Sequence, residues 1–239
     1  MKGMRLGVVT LAALLGMPAL AGSADAASLT VKSADFKNGQ VIPAVYAFCV
    51  PADVGHMKLG TDKNPEISWS KGPKGTQSYA LIVIDPDVPR DFTNGNQEGK
   101  VLPASMPRTN FYHWILVDIP ANTTEIPEAA DSETLVPHGK PPGPAKIGVR
   151  GMNSYTVFMA SDDQMKGAYG GYDGPCPPWN DQRTHRYRFT VYALDVPSLN
   201  LGGAFDGDAA ERAMQGHVLA KGEIVGVYSL KPTITKKSK

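Results

Sequence analysis

The stretch Tyr79-Ala80-Leu81-Ile82-Val83-Ile84-Asp85-Pro86-Asp87-Val88-Pro89 decides the fold class. Six apolar residues in a row, rich in β-branched side chains, read as a strand buried on both faces. The run ends on two carboxylates, and Pro86 between them removes a backbone donor and favours extended or turn geometry. Further strand signals lie on its C-terminal side. Phe111, His113, Ile115, Val117 and Ile119 fall in one period-2 phase. Tyr187, Phe189, Val191 and Ala193 form another, with Arg186, Arg188 and Thr190 in the opposite phase. Val218 to Leu230 reads as a last strand interrupted by Lys221-Gly222-Glu223, and weaker strands are expected near 29–36, 41–47, 65–69 and 155–159.

One helix is predicted over 209–215, capped by Asp206 or Asp208 and stopped by Gly216. Residues 89–110 and 120–146, rich in Pro, Gly, Asn and Thr, read as long loops. Gly (25) and Pro (20) together outnumber the 24 basic residues, a turn-rich composition that disfavours a long-helix bundle. Many strands with few helices point to a mainly β protein, an antiparallel β-sandwich with short peripheral helices. No linker divides the chain, so residues 27–239 are expected to form one domain.

Residues 1–26 are set apart. Lys2 and Arg5 precede an uncharged run, Leu6 to Leu15; Pro18 breaks it, and Ala24-Asp25-Ala26 fits a small-x-small cleavage site. This is the pattern of a signal peptide, with Ala19-Leu20-Ala21 as a second cleavage option and a retained anchor as the alternative. Cleavage would remove Lys2, Arg5 and Asp25 and bring the formal charge from +1 to zero. The expected setting is periplasmic or secreted. The balanced charge carries no electrostatic footprint for nucleic acid. Two cysteines exclude a disulfide-dense scaffold and a four-cysteine zinc site.

Four features carry polar chemistry. Asp85 and Asp87 stand where a buried strand ends, although an Asp-Pro turn there is common. His113 shares a phase with Ile115 and Val117, so its ring should point to the core, as a structural histidine's also would. His185 and Tyr187 share the phase of Phe189. Tyr169 to Pro178 combines three glycines, which open backbone amides to an anion, with three prolines that stiffen the exit. Taken singly each signal is weak, and spacing alone favours the plain turn for Asp85-Pro86-Asp87 and a core histidine for His113.

Their order is more specific than any one of them. Asp-Pro-Asp-x-Pro, then His113-Trp114, then Gly174-Pro175-Cys176-Pro177-Pro178, then His185-Arg186-Tyr187 resembles the phosphatidylethanolamine-binding protein family, in its bacterial and archaeal Raf kinase inhibitor-like branch. Ile67-Ser68-Trp69 and Met214 to Ala220 extend the resemblance, which runs from about Leu29 to Ser229. It implies a Greek-key sandwich and a small pocket for phosphate-like anions or phospholipid headgroups. The pocket would use Asp85, Asp87, His113, Gly174, Pro175, Pro177, Pro178, His185 and Tyr187, with the imidazoles, the phenol and the Gly174–Pro178 amides as donors and Phe111, Pro177, Pro178 and Trp179 as an apolar mouth. Arg186, out of phase, would face a carboxylate. Two segments depart from the family pattern: 49–66, and the longer loop Arg90 to Asn110.

Neither composition nor motif calls for a cofactor. A hydrolase built from the two histidines and two aspartates is the alternative, but no Gly-x-Ser-x-Gly nucleophile is present. A metal site is a third reading, without short ligand spacing to support it. Family members inhibit kinases or proteases; an exported member would meet an extracytoplasmic protease or a lipid-like ligand more readily than a cytosolic kinase. The resemblance allows a homodimer. Export would permit a Cys49–Cys176 disulfide, and the sequence leaves the bridged and free states open.

Overall fold

The computed structural model describes residues 27–231; the expected signal peptide and the lysine-rich tail at 236–239 lie outside them. In chain order the elements are β1 (Ala27–Ser28), β2 (Val31–Lys32), β3 (Cys49–Pro51), β4 (Met57–Leu59), β5 (Ile67–Trp69), β6 (Ser78–Pro89), β7 (Arg108–Pro120), β8 (Glu125–Ile126), β9 (Gly143–Pro144) and β10 (Val149–Arg150). They continue with α1 (Tyr155–Phe158), β11 (His185–Leu194), α2 (Gly207–Met214) and β12 (Val218–Tyr228). A seven-stranded sheet runs β1-β12-β11-β6-β7-β10-β9, a three-stranded sheet β2-β5-β8, and β3 and β4 form a hairpin. Pairing between strands is antiparallel except for β1 beside β12.

β6 is the middle strand of the large sheet, which is why its sequence is apolar on both sides. Tyr79, Leu81 and Val83 face the main core, shared with Val31, Ile67, Trp69 and Ile126 of the small sheet. Ala80 and Ile82 face a second core under α2, with Phe205, Ala210 and Met214. α2 begins at Asp206, whose carboxylate accepts the Ala209 N–H at 2.8 Å, and ends before Gly216 at φ +82°.

β7 does not keep the single phase expected of it. The pairing steps from Val83↔Trp114 to Ile84↔Tyr112 and leaves His113 unopposed; a second step leaves an extra residue at Val117–Asp118, where Asp118 has φ +55°. Each bulge inserts one residue and reverses the faces. Phe111 and His113 therefore share the main-core face with Trp114, Leu116 and Ile119, while Ile115 and Val117 lie on the α2 face. A third step, between Asp85↔Phe111 and Val88↔Thr109, makes Pro86–Asp87 a bulge on β6.

Other expectations are corrected. β12 is continuous, because Lys221 and Glu223 point outward while Gly222 faces inward where a Cβ would lie 2.0 Å from the Leu29 carbonyl. Segment 155–159 forms α1 and its cap, with the Phe158 N–H bonded to the Ser154 carbonyl. Within 41–47 there is a Val41–Val227 bridge and a 3-10 turn at Ala44–Tyr46, and 29–36 keeps only β2 as strand. Cys49 and Cys176 are joined in a disulfide, tying the β3–β4 hairpin to the loop before β11.

Candidate functional site

The bulges at His113 on β7 and at Pro86–Asp87 on β6 flank the pairs Ile84↔Tyr112 and Asp85↔Phe111, at the end of the sheet where β11 begins. Bulges re-aim side chains, and here Asp85 and His113 line one recess with His185 and Tyr187 of β11. The recess has a volume of about 30 Å³, room for roughly two water-sized groups. Its outer wall is apolar: Val88, Phe92, Phe111, Tyr155, Phe158, Cys176, Pro177 and Pro178. Phe158 packs edge-on against both Phe92 and Phe111, at centroid distances of 5.3 and 6.0 Å.

His185 is held at both nitrogens. Nδ1–H donates to Asp85 at 2.6 Å and Nε2–H to Asp181 at 3.2 Å. Burial opposes its charge, but the two carboxylates outweigh it and raise its pKa to about 9. Asp181 also takes both terminal nitrogens of Arg108 and the Arg183 N–H. Against the cost of its own burial, these partners hold Asp181 down at about 2. His185 is thus an imidazolium whose two N–H groups both go to carboxylates, and it pairs with Asp85 where an imidazole donor to the ligand was expected.

His113 is set differently. Its Nδ1–H donates to the Asp173 carbonyl at 2.8 Å, and its Nε2 is buried with no partner. Burial lowers its pKa, outweighing the nearby Asp85. Since a carbonyl only accepts, the neutral ring carries its proton on Nδ1 and turns a bare lone pair toward the recess. The Tyr187 hydroxyl is likewise buried and unpartnered, and burial together with Asp85 drives its pKa well above the usual phenol value. Asp85 accepts the Asp87 N–H at 2.8 Å on its other oxygen.

Of the predicted residues, Asp85, His113, Pro177, Pro178, His185 and Tyr187 come together, while Asp87, Gly174 and Pro175 do not line the recess. The Asp87 carboxylate is turned to Arg186, at 2.8 and 2.9 Å, and to Arg183 at 2.9 Å. Its pKa is lowered, burial being overcome by these guanidiniums. Arg186 faces a carboxylate, as its phase suggested. Gly174 and Pro175 stand behind the wall: the Gly174 N–H donates to Asp62 at 2.6 Å, and the Pro175 carbonyl accepts from Cys49 at 3.1 Å. Three of the loop's five residues are prolines, so it has two amide N–H groups: that of Gly174 is committed to Asp62, and the other belongs to Cys176, which lines the recess. Trp179 lies outside the recess and stacks on His56.

Sequence reasoning missed Phe92, Tyr155, Phe158 and Asp181. The only sequence signal for Asp181 was its i, i+4 distance from His185, which says nothing in a loop. Among the described residues no group of three or more His, Cys, Asp or Glu side chains is arranged to hold a metal ion.

A mainly β, antiparallel fold with a recessed Asp-His-Tyr cluster at one end of its large sheet defines a small class of proteins. A profile of the phosphatidylethanolamine-binding protein family matches residues 32–229, and the chain belongs to that family. A UPF0098 protein of Aquifex aeolicus is 33% identical over 86% of this chain and 91% of its own. One from Pyrococcus horikoshii is 33% identical over 91% of this chain and 85% of its own. The crystal structure of Escherichia coli YbcL, described as a new member of the mammalian PEBP family, superposes with a TM-score of 0.61 at 26% identity, covering 86% of this chain and 100% of YbcL.

Proposed function

We propose that this chain is an exported, non-catalytic binding protein whose recess takes a small oxyanion or phosphorylated headgroup reversibly. One observation carries the reading. Two buried polar atoms without partners, His113 Nε2 and the Tyr187 hydroxyl, converge beside Asp85 at the bottom of an apolar recess. Such groups are costly to leave unsatisfied, so a polar ligand group satisfies both. The His185 imidazolium offsets Asp85 and removes much of the repulsion an anion would meet. The aromatic wall suits the alkyl part of a headgroup.

Binding is favoured over hydrolysis because the lining contains no serine or threonine, and Cys176 is committed to its disulfide. That disulfide also supports an oxidising, extracytoplasmic setting.

Calorimetric titration with phosphate and phosphoethanolamine tests the reading. His113→Ala should weaken binding roughly tenfold to a hundredfold, and Tyr187→Phe by a smaller factor. Unchanged affinity in variants that melt as folded proteins would end it.

A further inference from the structure

The hydrogen-bond inventory of the recess is lopsided. His113 Nε2 is a lone pair fixed inward by the Nδ1–H bond to the Asp173 carbonyl. Asp85 is an acceptor already engaged by His185 Nδ1–H and the Asp87 N–H. Among the side chains that line the recess, the uncommitted donor is the Tyr187 hydroxyl. The other groups around His113 add none: Tyr155 gives its hydroxyl proton to the Gly174 carbonyl at 2.9 Å, and both N–H groups of His185 are spent. Asp173 and Gly174 meet His113 only through their backbone. An oxyanion with no proton of its own would set an oxygen lone pair against the Nε2 lone pair.

Building on the proposed oxyanion site, we infer that the recess selects its ligand by a proton: it takes a phosphomonoester as the P–OH monoanion, whose hydroxyl donates to His113 Nε2 while a second oxygen accepts from Tyr187. Two oxygens match a cavity of about 30 Å³, and the ester oxygen leaves through the aromatic wall. A phosphodiester and sulfate are fully ionised near neutrality and have no proton to offer. The monoester exchanges its second proton with a pKa near 6, so it arrives protonated in mildly acidic surroundings. The complex holds that proton between the ligand oxygen and Nε2 and returns it to water on release.

Calorimetry on the purified chain tests this with phosphoethanolamine, glycerophosphoethanolamine (the diester) and sulfate. Phosphoethanolamine affinity should be near its plateau at pH 5 and fall about tenfold per unit above pH ~6. At pH 8, runs in two buffers of different ionisation enthalpy should show uptake of about one proton per ligand. Sulfate and the diester should bind at least roughly a hundredfold more weakly at pH 6, each leaving an acceptor unpaired. His113→Gln, whose terminal amide can turn an N–H into the recess, should bring sulfate to within about tenfold of the monoester. Comparable affinity for sulfate, diester and monoester, binding without proton uptake, or an unchanged sulfate gap in folded His113→Gln would overturn proton selection and leave the oxyanion site standing. Binding of none of these anions, or of ethanolamine alone, would overturn both.

Discussion

His56 lies flat on Trp179, ring centroids 3.9 Å apart and planes 16° from parallel, while its Nε2 meets Glu98 at 2.5 Å. His56 belongs to the β3–β4 hairpin and Glu98 to the long loop 90–110, the two segments that depart from the family's sequence pattern. They meet over the indole that follows Pro177-Pro178. The same loop is gathered around Asn180, whose side-chain amide donates to the Asn94 carbonyl at 2.8 Å and accepts the Asn96 N–H at 2.9 Å. It also delivers Phe92 to the wall of the recess. The two departures are one structure, a rim on one side of the mouth.

His56→Ala should free that rim with little cost to the whole. The pair is exposed, so global stability should fall by less than about 1 kcal/mol. Proteolytic nicking within 90–100 should accelerate and Trp179 emission should move to longer wavelength. An unchanged nicking rate would show that the loop is held without His56, by contacts such as those of Asn180.

The Cys49–Cys176 bridge spans a sequence separation of 127. Closing so long a loop restricts the unfolded chain strongly, and reduction, or the double serine variant, should cost about 3–5 kcal/mol in urea unfolding. Because Cys176 lines the recess and the Pro175 carbonyl receives the Cys49 N–H, phosphoethanolamine binding should weaken as well. Coincident urea midpoints with and without reductant would remove the bridge from the stability account.

The His185 cluster predicts a sloping alkaline limb. Its folded pKa, about 9, lies above the ordinary value of 6.5, so its contribution is complete below pH ~6.5 and is lost as pH climbs through 9. Asp181, held at about 2, and Asp87, also lowered, act oppositely. Their contribution is present above the ordinary carboxylate range and is lost as pH falls through the folded values. Melting temperature should therefore decline on both sides of a plateau. His185→Ala should cost about 3–5 kcal/mol at pH 7, by stranding the buried Asp85, and flatten the alkaline limb.

The parts legible in the sequence are those where period and burial agree over several residues. β6 reads as buried because it is the central strand, and β11 alternates cleanly because one face meets the core while Arg186 and Arg188 meet solvent. β7 misleads because a bulge is one inserted residue with no compositional mark, so a single phase along the sequence crosses two reversals of face. α1 misleads because Tyr155-Thr156-Val157-Phe158 has strand propensity, overridden by tertiary contacts such as Tyr155 hydroxyl to Gly174. In the site, motif order pointed to Asp85, His113, His185 and Tyr187. Their protonation was not legible: it depends on Asp181 and the Asp173 carbonyl, supplied by loops whose paths no local pattern records.

Below the recess, the Asp173 that receives His113 Nδ1–H on its backbone belongs to a buried acidic pair. Its side chain takes the Lys140 ammonium at 2.8 Å and the Asn153 amide at 2.6 Å. Asp62, also buried, accepts the Gly174 N–H on Oδ1, while its Oδ2 has no partner. Burial raises both carboxyls, and Asp173 raises Asp62 further while Lys140 only partly offsets it. A carboxyl raised on folding gives stability that is complete below the ordinary carboxylate value and lost as pH rises through the folded one. Asp62→Asn keeps the acceptor for Gly174 and deletes the charge that has to be buried beside Asp173. It should match or exceed the parent's stability at pH 7–8, by on the order of 1 kcal/mol, and lose stability less steeply toward alkaline pH. Asp173→Asn, which strands the buried Lys140, should instead cost about 3–5 kcal/mol. Chemical denaturation of both variants at pH 5 and pH 8 separates the two roles; equal losses from Asp62→Asn and Asp173→Asn at pH 8 would show that Asp62 is ionised and supporting Lys140 itself.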